Sequence, residues 1–397
     1  MKMAEFYSTQ HRDKRNEYLD YLARLGMLSG LFSDSDDPYL YYRAHENLFC
    51  KVFDANNLSR GDISYDAKVM GLGVGLKTFL HNNGATLQKV AEFDNDSDSL
   101  RKIEATSRSK EIACSVAEMR NKRLSFARDT TDCYDQLYHL VTRSKGCMNI
   151  YEYPMDYIDV DNIEILAAKP KNIRFTDGKN EYGFSLAKST LYERFILREP
   201  LDSVEVKIAE DPFEILKSIK VDDMLIRSSN HHEHIYLPLY STSDGQVPEK
   251  SQLNQWNAGG RARDFDEVYI PIPSEIYKLF PNFLPYLEYA DETKSSKAAP
   301  KFKVKLPDGN SITCKVAQSG GKALMSDPNK ALGEWILRKV LGLRKGELLT
   351  REYLDKLGID SVRLTKNSDE EFELDFAKTG SYEKFIRGNN VEGWELD

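Results

Sequence analysis

Asp66 and Lys77 carry the chemistry most readily read from this chain. They sit on two short hydrophobic runs, Ile63-Ser-Tyr-Asp-Ala-Lys-Val69 and Val74-Gly-Leu-Lys-Thr-Phe-Leu80, separated by the glycine-rich turn Gly71-Leu-Gly73. Strands folded back on one another there bring a carboxylate and an ammonium to the same edge of a sheet. Metal-dependent hydrolysis of a phosphodiester needs that pair. The carboxylate holds a divalent cation that polarises the phosphate and activates water, and the lysine neutralises developing charge.

The surrounding pattern predicts the elements that position them. Tyr18, Tyr21, Leu22, Leu25 and Leu28 recur at helical spacing, and the run Ser33-Asp-Ser-Asp-Asp-Pro38 breaks that helix. A second helix is expected over Tyr41–Phe53, with Glu46 on its apolar face. After the two strands and the turn His81-Asn-Asn-Gly84, helices are expected over Ala85–Phe93, over roughly Asp98–Arg128 and over Ser189–Phe195. Strands are expected at Leu137–Val141, Asn149–Tyr153, Asn172–Thr176 and Glu181–Leu186, the last two as a hairpin around Thr176-Asp-Gly-Lys179.

On these residues the N-terminal half resembles the PD-(D/E)XK nucleases, whose best-known members are type II restriction endonucleases. Tyr65-Asp-Ala-Lys-Val-Met-Gly-Leu-Gly-Val-Gly-Leu-Lys-Thr78 matches that family's strand-turn-strand core. Asp66 takes the first acid position and Lys77 the lysine position. The acid that normally stands two residues before the lysine is Gly75 here. The resemblance therefore implies a substitute metal ligand beside Asp66, either Glu46 or Glu92, with Gln88 expected one helical turn before Glu92 to orient water or the lysine. It implies Mg²⁺ or Mn²⁺ as cofactor. A rival register, Asp62 with Asp66-Ala-Lys68, leaves too few residues between its acids to turn a hairpin. Each residue also has an ordinary structural role: Asp as a turn former, Lys and Glu as solvated surface charges.

Other patterns are better explained without chemistry. Gly71-x-Gly73-x-Gly75 is followed by a strand, so it presents no helix N-terminus to a phosphate. His231, His232 and His234 fall where a polar linker is expected. Ser189 and Thr190 suit helix capping. The five cysteines are widely spread with no C-x-x-C pair, and the N-terminus lacks an apolar h-region, so the expected location is the cytoplasm.

The formal net charge is −8, which argues against non-specific nucleic-acid binding. Between Lys297 and Lys345, however, eleven Lys or Arg face three acids (Asp308, Asp327, Glu334). Such a patch suits a phosphate backbone. Strands are expected here at Ile235–Tyr240, Glu267–Ile272, Lys301–Leu306 and Ile312–Ala317, with helices at Ser274–Phe280 and about Lys330–Leu341. That pattern predicts a small β-barrel with flanking helices.

From Ile235 to Leu357 the chain resembles the C-terminal DNA-recognition domain of the BfiI/NgoFVII restriction enzymes, which is related to the plant "B-three" pseudobarrel. The residues carrying the likeness are Tyr236-Leu-Pro-Leu-Tyr-Ser241, Val247-Pro-Glu-Lys-Ser-Gln-Leu-Asn-Gln-Trp256, Tyr269-Ile-Pro-Ile-Pro-Ser274 and Gln318-Ser-Gly-Gly-Lys-Ala-Leu-Met-Ser326. It implies two DNA-gripping arms, roughly Lys250–Arg263 and Gln318–Lys330. Asn254, Gln255, Asn257 and Gln318 suit adenine edges, and Arg261, Arg263 and Lys322 suit guanine. Lys250, Ser251, Ser326 and Lys330 suit phosphates, and Gln252 and Asn329 are expected to contact DNA as well. Trp256 is expected to anchor its arm. Relatives sharing this half often carry a phospholipase-D-type domain with an H-x-K signature, and none of the seven histidines begins that triplet.

The expected architecture is an α/β nuclease core, a mixed sheet flanked by helices, over residues 1–225. A linker follows at 226–234, then an all-β pseudobarrel with flanking helices at 235–397. The expected function is that of a type II restriction endonuclease acting on double-stranded DNA with Mg²⁺, as a homodimer and without a membrane. The alternatives are a non-catalytic DNA-binding protein, with Gly75 marking a decayed site, and a modification-dependent nuclease whose barrel holds a flipped base.

Overall fold

The computed structural model describes residues 5–58, 63–93, 109–218, 233–258, 261–285 and 299–391. Backbone contacts divide the chain into two compact units, residues 1–128 with 132–229, and residues 129–131 with 230–397.

In the first unit, helices α1 (Arg12–Met27) and α2 (Tyr42–Val52) precede β1 (Asn56–Asn57), β2 (Ala67–Val69), β3 (Leu72–Leu80) and β4 (Ala85–Glu92). Helix α3 (Ser109–Thr131) leads into the hairpin β5 (Asp135–Ser144) and β6 (Cys147–Pro154). Then come β7 (Glu164–Lys169), β8 (Asn172–Thr176), β9 (Glu181–Ser185), β10 (Thr190–Ile196), β11 (Asp202–Glu205) and the short helix α4 (Pro212–Ser218). They form two sheets, ordered β1-β2-β3-β5-β6-β11 and β4-β10-β9-β8-β7.

The hairpin carrying Asp66 closes tighter than the glycine spacing suggests. Val69 pairs with Leu72, and the two loop residues Met70 and Gly71 have φ of 47° and 76°. That is the mirror-image two-residue turn whose twist matches flanking strands. Leu72 and Gly73 therefore belong to β3. That strand runs on past its partner and pairs in parallel with β5, Gly75 opposite Tyr138 and Lys77 opposite Leu140.

Two expected helices are strands, and they err together. Ala85–Glu92 and Thr190–Ile196 form one antiparallel ladder, with Gln88 opposite Glu193 and Glu92 opposite Thr190. Each segment alone carries residues compatible with a helix, but the cross-strand pairing is long-range and overrides local propensity. In β10 the buried residues Leu191, Glu193 and Phe195 alternate, the period of a half-buried strand. Helix α3 lies between apolar layers. Ile112, Val116 and Ala117 join the core of the second sheet, and Leu124 and Ala127 join a cluster with Phe79, Tyr138 and Phe195. On the opposite face of the first sheet, α1 and α2 bury Tyr18, Leu22 and Phe49 against Val74 and Leu76.

The second unit is built on one seven-stranded sheet. Its strands are β12 (His234–Pro238), β15 (Ile270–Pro271), β16 (Lys301–Lys305), β17 (Ser311–Ala317), β18 (Ala323–Ser326), β19 (Ile359–Lys366) and β20 (Glu371–Lys378), in the order β12-β19-β20-β16-β17-β18-β15. A separate two-stranded ribbon, β13 (Asn257–Ala258) with β14 (Arg261–Ala262), stands on the arm. The end strands β12 and β15 approach each other, so the sheet nearly closes and fits a pseudobarrel. Around it lie α5 (Ser274–Leu279), α6 (Ala331–Gly333, continued by a π-wound segment Glu334–Val340), α7 (Arg351–Leu357) and α8 (Ser381–Val391). No helix among the described residues is long and apolar enough to cross a membrane. His231, His232, most of the expected linker and Asp62 of the rival register fall outside the described residues.

Candidate functional site

Asp66 extends the β2 register, its N–H donating to the Val74 carbonyl at 2.9 Å. Its Oδ2 accepts from the backbone N–H of Leu76 at 2.7 Å, which points the carboxylate toward the next residue along, Lys77. Both side chains keep part of their surface in solvent while protein crowds around their charged ends. Burial raises the Asp66 pKa above its ordinary value, against the Lys77 ammonium, the Leu76 N–H and Arg43, which lower it. Burial lowers the Lys77 pKa, while Asp66 and Glu193 raise it. The Lys77 Nζ lies 5.5 Å from the centre of the Tyr138 ring.

Glu193 is the residue that sequence reasoning missed. It comes from β10 in the other sheet and is 4% exposed, with Arg120 beside it at 3.6 Å and 2% exposed. Burial lifts its carboxyl to about 7, opposed by Arg120 and Lys77 and assisted by Asp156 and Asp177. Arg120 in turn donates to the Asp156 carbonyl at 2.9 Å and to the Tyr138 hydroxyl at 3.0 Å. The cluster Asp66, Lys77, Glu193, Arg120 and Tyr138 thus alternates acid and base across two sheets and α3. The signal for Glu193 was an acid flanked at i±2 by Leu191 and Phe195. It became unreadable once the segment was taken for a helix.

The other expected residues separate clearly. Glu46 lies on the inner side of α2, 5% exposed, with Arg43 Nη1 at 2.8 Å from its Oε2. Burial pushes the Cys50 thiol up to about 12, and the charges of Glu46 and Asp66 add to that rise. Glu92 is on a strand rather than a helix, exposed, with Lys89 at 2.8 Å. Gln88 shares that strand and stands across from Glu193, its Nε2 donating to Thr86 Oγ1 at 2.9 Å. The helical relation expected between Gln88 and Glu92 is therefore absent, because in a strand residues four apart are far apart. Gly75 has no room for a side chain: a Cβ would come within 2.6 Å of Met155 Cε and 2.9 Å of Tyr138 Cδ1.

Among the described residues no group of three or more His, Cys, Asp or Glu is arranged to hold a metal ion. Mg²⁺ asks for less than such a cage, being bound through one or two carboxylates with waters and substrate phosphates completing the shell. Asp66 and Glu46 are carboxylates, the donor type such a shell uses.

In the barrel, the arms hold a mixture of structural and outward-facing groups. Asn254 is buried: its amide donates to the carbonyls of Pro248 and Leu349 and accepts from the Leu349 N–H, all at 2.9 Å. Ser326 is buried too, donating to the Pro328 carbonyl and accepting from the Leu332 N–H, both at 2.9 Å. These two work inside the fold instead of facing DNA, because their polar atoms satisfy backbone groups that loops leave unpaired. Gln255 donates to the Arg263 carbonyl at 2.8 Å. Arg263 lies over the Trp256 ring at 5.3 Å and pairs with Glu267, and Lys330 pairs with Asp264 at 2.8 Å. Lys250, Asn257, Gln318 and Lys322 are exposed, and Ser251, Gln252 and Asn329 half-buried. Arg261 lies on β14, its backbone paired across the ribbon with Ala258. Trp256 packs with Tyr269 against Ala317, Ala323 and Met325, as an arm anchor should.

Residues 227–368 match the family model of the NgoFVII C-terminal B3-like DNA-binding domain. The match covers the seven strands' first six in chain order and both arms, and with the near-closed sheet it supports a C-terminal DNA-recognition domain of restriction-enzyme type. A search of curated proteins finds no match to the chain.

Proposed function

We propose that this protein is a restriction endonuclease: the pseudobarrel reads a short sequence in double-stranded DNA, and the N-terminal unit hydrolyses a phosphodiester bond with Mg²⁺ or Mn²⁺. The match of residues 227–368 supports the DNA-binding half. The observation that carries the chemistry is the Asp66 carboxylate, oriented by the Leu76 N–H toward Lys77. Asp66 and Glu46 would hold the cation. When bound, it supplies Lewis-acid polarisation of the phosphate and a more acidic water.

The chain's own residues do the rest. Lys77 offers a positive charge where the phosphorane becomes more negative, and protein crowding makes that charge more effective than it is in bulk water. Asp66 and Glu193 favour the charged ammonium, in part offsetting the burial that lowers its pKa. Tyr138 and Met155 lie against Gly75, so the lysine strand packs closely on them. Two copies acting on the two strands of a duplex complete the reading.

Gly75 itself favours a second reading, a DNA-binding protein whose nuclease site has decayed. Incubating supercoiled plasmid with the full chain in Mg²⁺ separates the two. Cleavage by wild type and its loss in Asp66→Ala support the enzyme. Tight binding with intact plasmid supports the binder.

A further inference from the structure

The pseudobarrel contains a cavity of about 350 Å³ at the seam where its sheet nearly closes. Pro238 lines it from β12, Pro271 from β15, and Gln318 and Lys322 from the turn between β17 and β18. Two of its lining residues hold the backbone in the left-handed region: Gln252 at φ 58° and Gln318 at φ 67°. Neither is Gly, Asn or Asp, the residues that tolerate that conformation. Strain of this kind survives where the surrounding fold imposes it, and it gathers at ligand sites.

Gln252 adds an independent sign. Among the described residues its side-chain amide has no hydrogen-bond partner, and its Oε1 is buried. An amide left unmet inside a fold is costly unless a ligand completes it. It presents a donor and an acceptor side by side, the complement of a nucleobase edge. Tyr269, held edge-on against Trp256 with ring centres 5.4 Å apart, lines the same cavity and offers an aromatic surface. Lys322 is exposed on its rim, where a phosphate is met. Base edge, base face and phosphate are the three parts of one nucleotide. A base held in a duplex offers its edge alone, its face being stacked, so meeting the amide, the ring and the cation together needs the base out of the stack.

We propose that this cavity receives a single nucleotide turned out of the bound duplex, its base edge on the Gln252 amide and its phosphate beside Lys322. The proposal rests on the DNA-binding reading of the pseudobarrel and goes beyond it. Extrusion costs stacking and pairing, which the contacts in the cavity must offset.

The test uses the full chain with divalent cation withheld. Duplexes that bind are first selected from a random-sequence pool, and the fluorescent base 2-aminopurine, quenched when stacked, then replaces each position in turn. One position should brighten several-fold on binding. Gln252→Ala should abolish that brightening and weaken binding roughly tenfold. Gln252→Gly, which relaxes the left-handed strain and so keeps the fold, should do the same. Binding with every position still quenched, and with no position at which a mismatch tightens binding, overturns the cavity proposal and leaves DNA binding standing. Brightening that persists in both variants overturns the assignment to this cavity. Recovery of no duplex overturns both readings.

Discussion

The Asp66 carboxylate accepts the Leu76 N–H at 2.7 Å, fixing the acid against the strand that carries Lys77 one residue later. The bond ties acid to lysine through backbone alone, so the pair's geometry does not depend on a flexible contact. Replacing Asp66 by Asn retains an acceptor for Leu76 while removing the charge. Cleavage in Mg²⁺ should fall by about 10²–10³-fold, the size of losing one electrostatic group at a reacting phosphate. The folded-state pKa of Asp66 is raised, so its stabilising contribution is present at low pH and lost as pH rises through that pKa. The Asn variant should accordingly melt no lower than wild type at neutral pH. An Asn variant that cut plasmid at near wild-type rate would remove Asp66 from the chemistry.

The two acids offered as substitutes for Gly75 stand in different environments, and that makes them separable. Glu46 is buried on α2 with Arg43 beside it, while Glu92 is exposed on β4 beside Lys89. Glu46→Gln should raise the Mg²⁺ concentration needed for half-maximal cleavage. Glu92→Gln should leave the Mg²⁺ titration curve where it was. The opposite ranking in a metal titration would move the second ligand to β4.

Glu193 gives a pH signature. Its carboxyl is lifted from 4.5 to about 7, so the folded state binds this proton more tightly than the unfolded chain. The associated stability is fully present below pH 4.5 and is lost as pH rises to about 7. A carboxyl lifted from 4.5 to about 7 corresponds to an upper bound on the order of 3 kcal/mol. Glu193→Gln mimics the protonated form and should be flat across that window, gaining on wild type toward pH 8. Urea titrations at several pH values measure the difference. A constant difference between the two proteins would show that Glu193 titrates normally.

Asn254 tests the division of labour on the arm. Its three bonds at 2.9 Å satisfy backbone groups of Pro248 and Leu349. Asn254→Ala leaves buried polar groups unmet and should cost about 2–3 kcal/mol of stability in the second unit. Lys322→Ala removes an exposed charge and should leave the melting temperature unchanged while weakening DNA binding and its salt dependence. Thermal melts and binding isotherms at two salt concentrations check both. Equal loss of stability in the two variants would contradict the assignment.

Local chemistry determined a good deal. The hairpin that carries Asp66 and leads to Lys77 was legible because a glycine-rich turn between apolar runs allows little besides strands folded back on one another, while the pairing of Val69 with Leu72 decided that the turn takes only two residues. The barrel arms were expected from the resemblance of this half to the NgoFVII-type domain, and Trp256 as the anchor of its arm packs as expected. The inward turn of Glu46 followed from helical periodicity alone. What tertiary structure decided was every relation made across long sequence separation. Ala85–Glu92 became a strand because Thr190–Ile196 lay beside it, about a hundred residues on, and neither segment states that pairing locally. The same ladder brought Glu193 to Lys77 and left Glu92 outside. Asn254 faces inward because Leu349 needed a partner, which no local pattern encodes. Short-range periodicity sets which face of an element is apolar, whereas the partners that satisfy buried charges and amides are chosen only when distant strands meet.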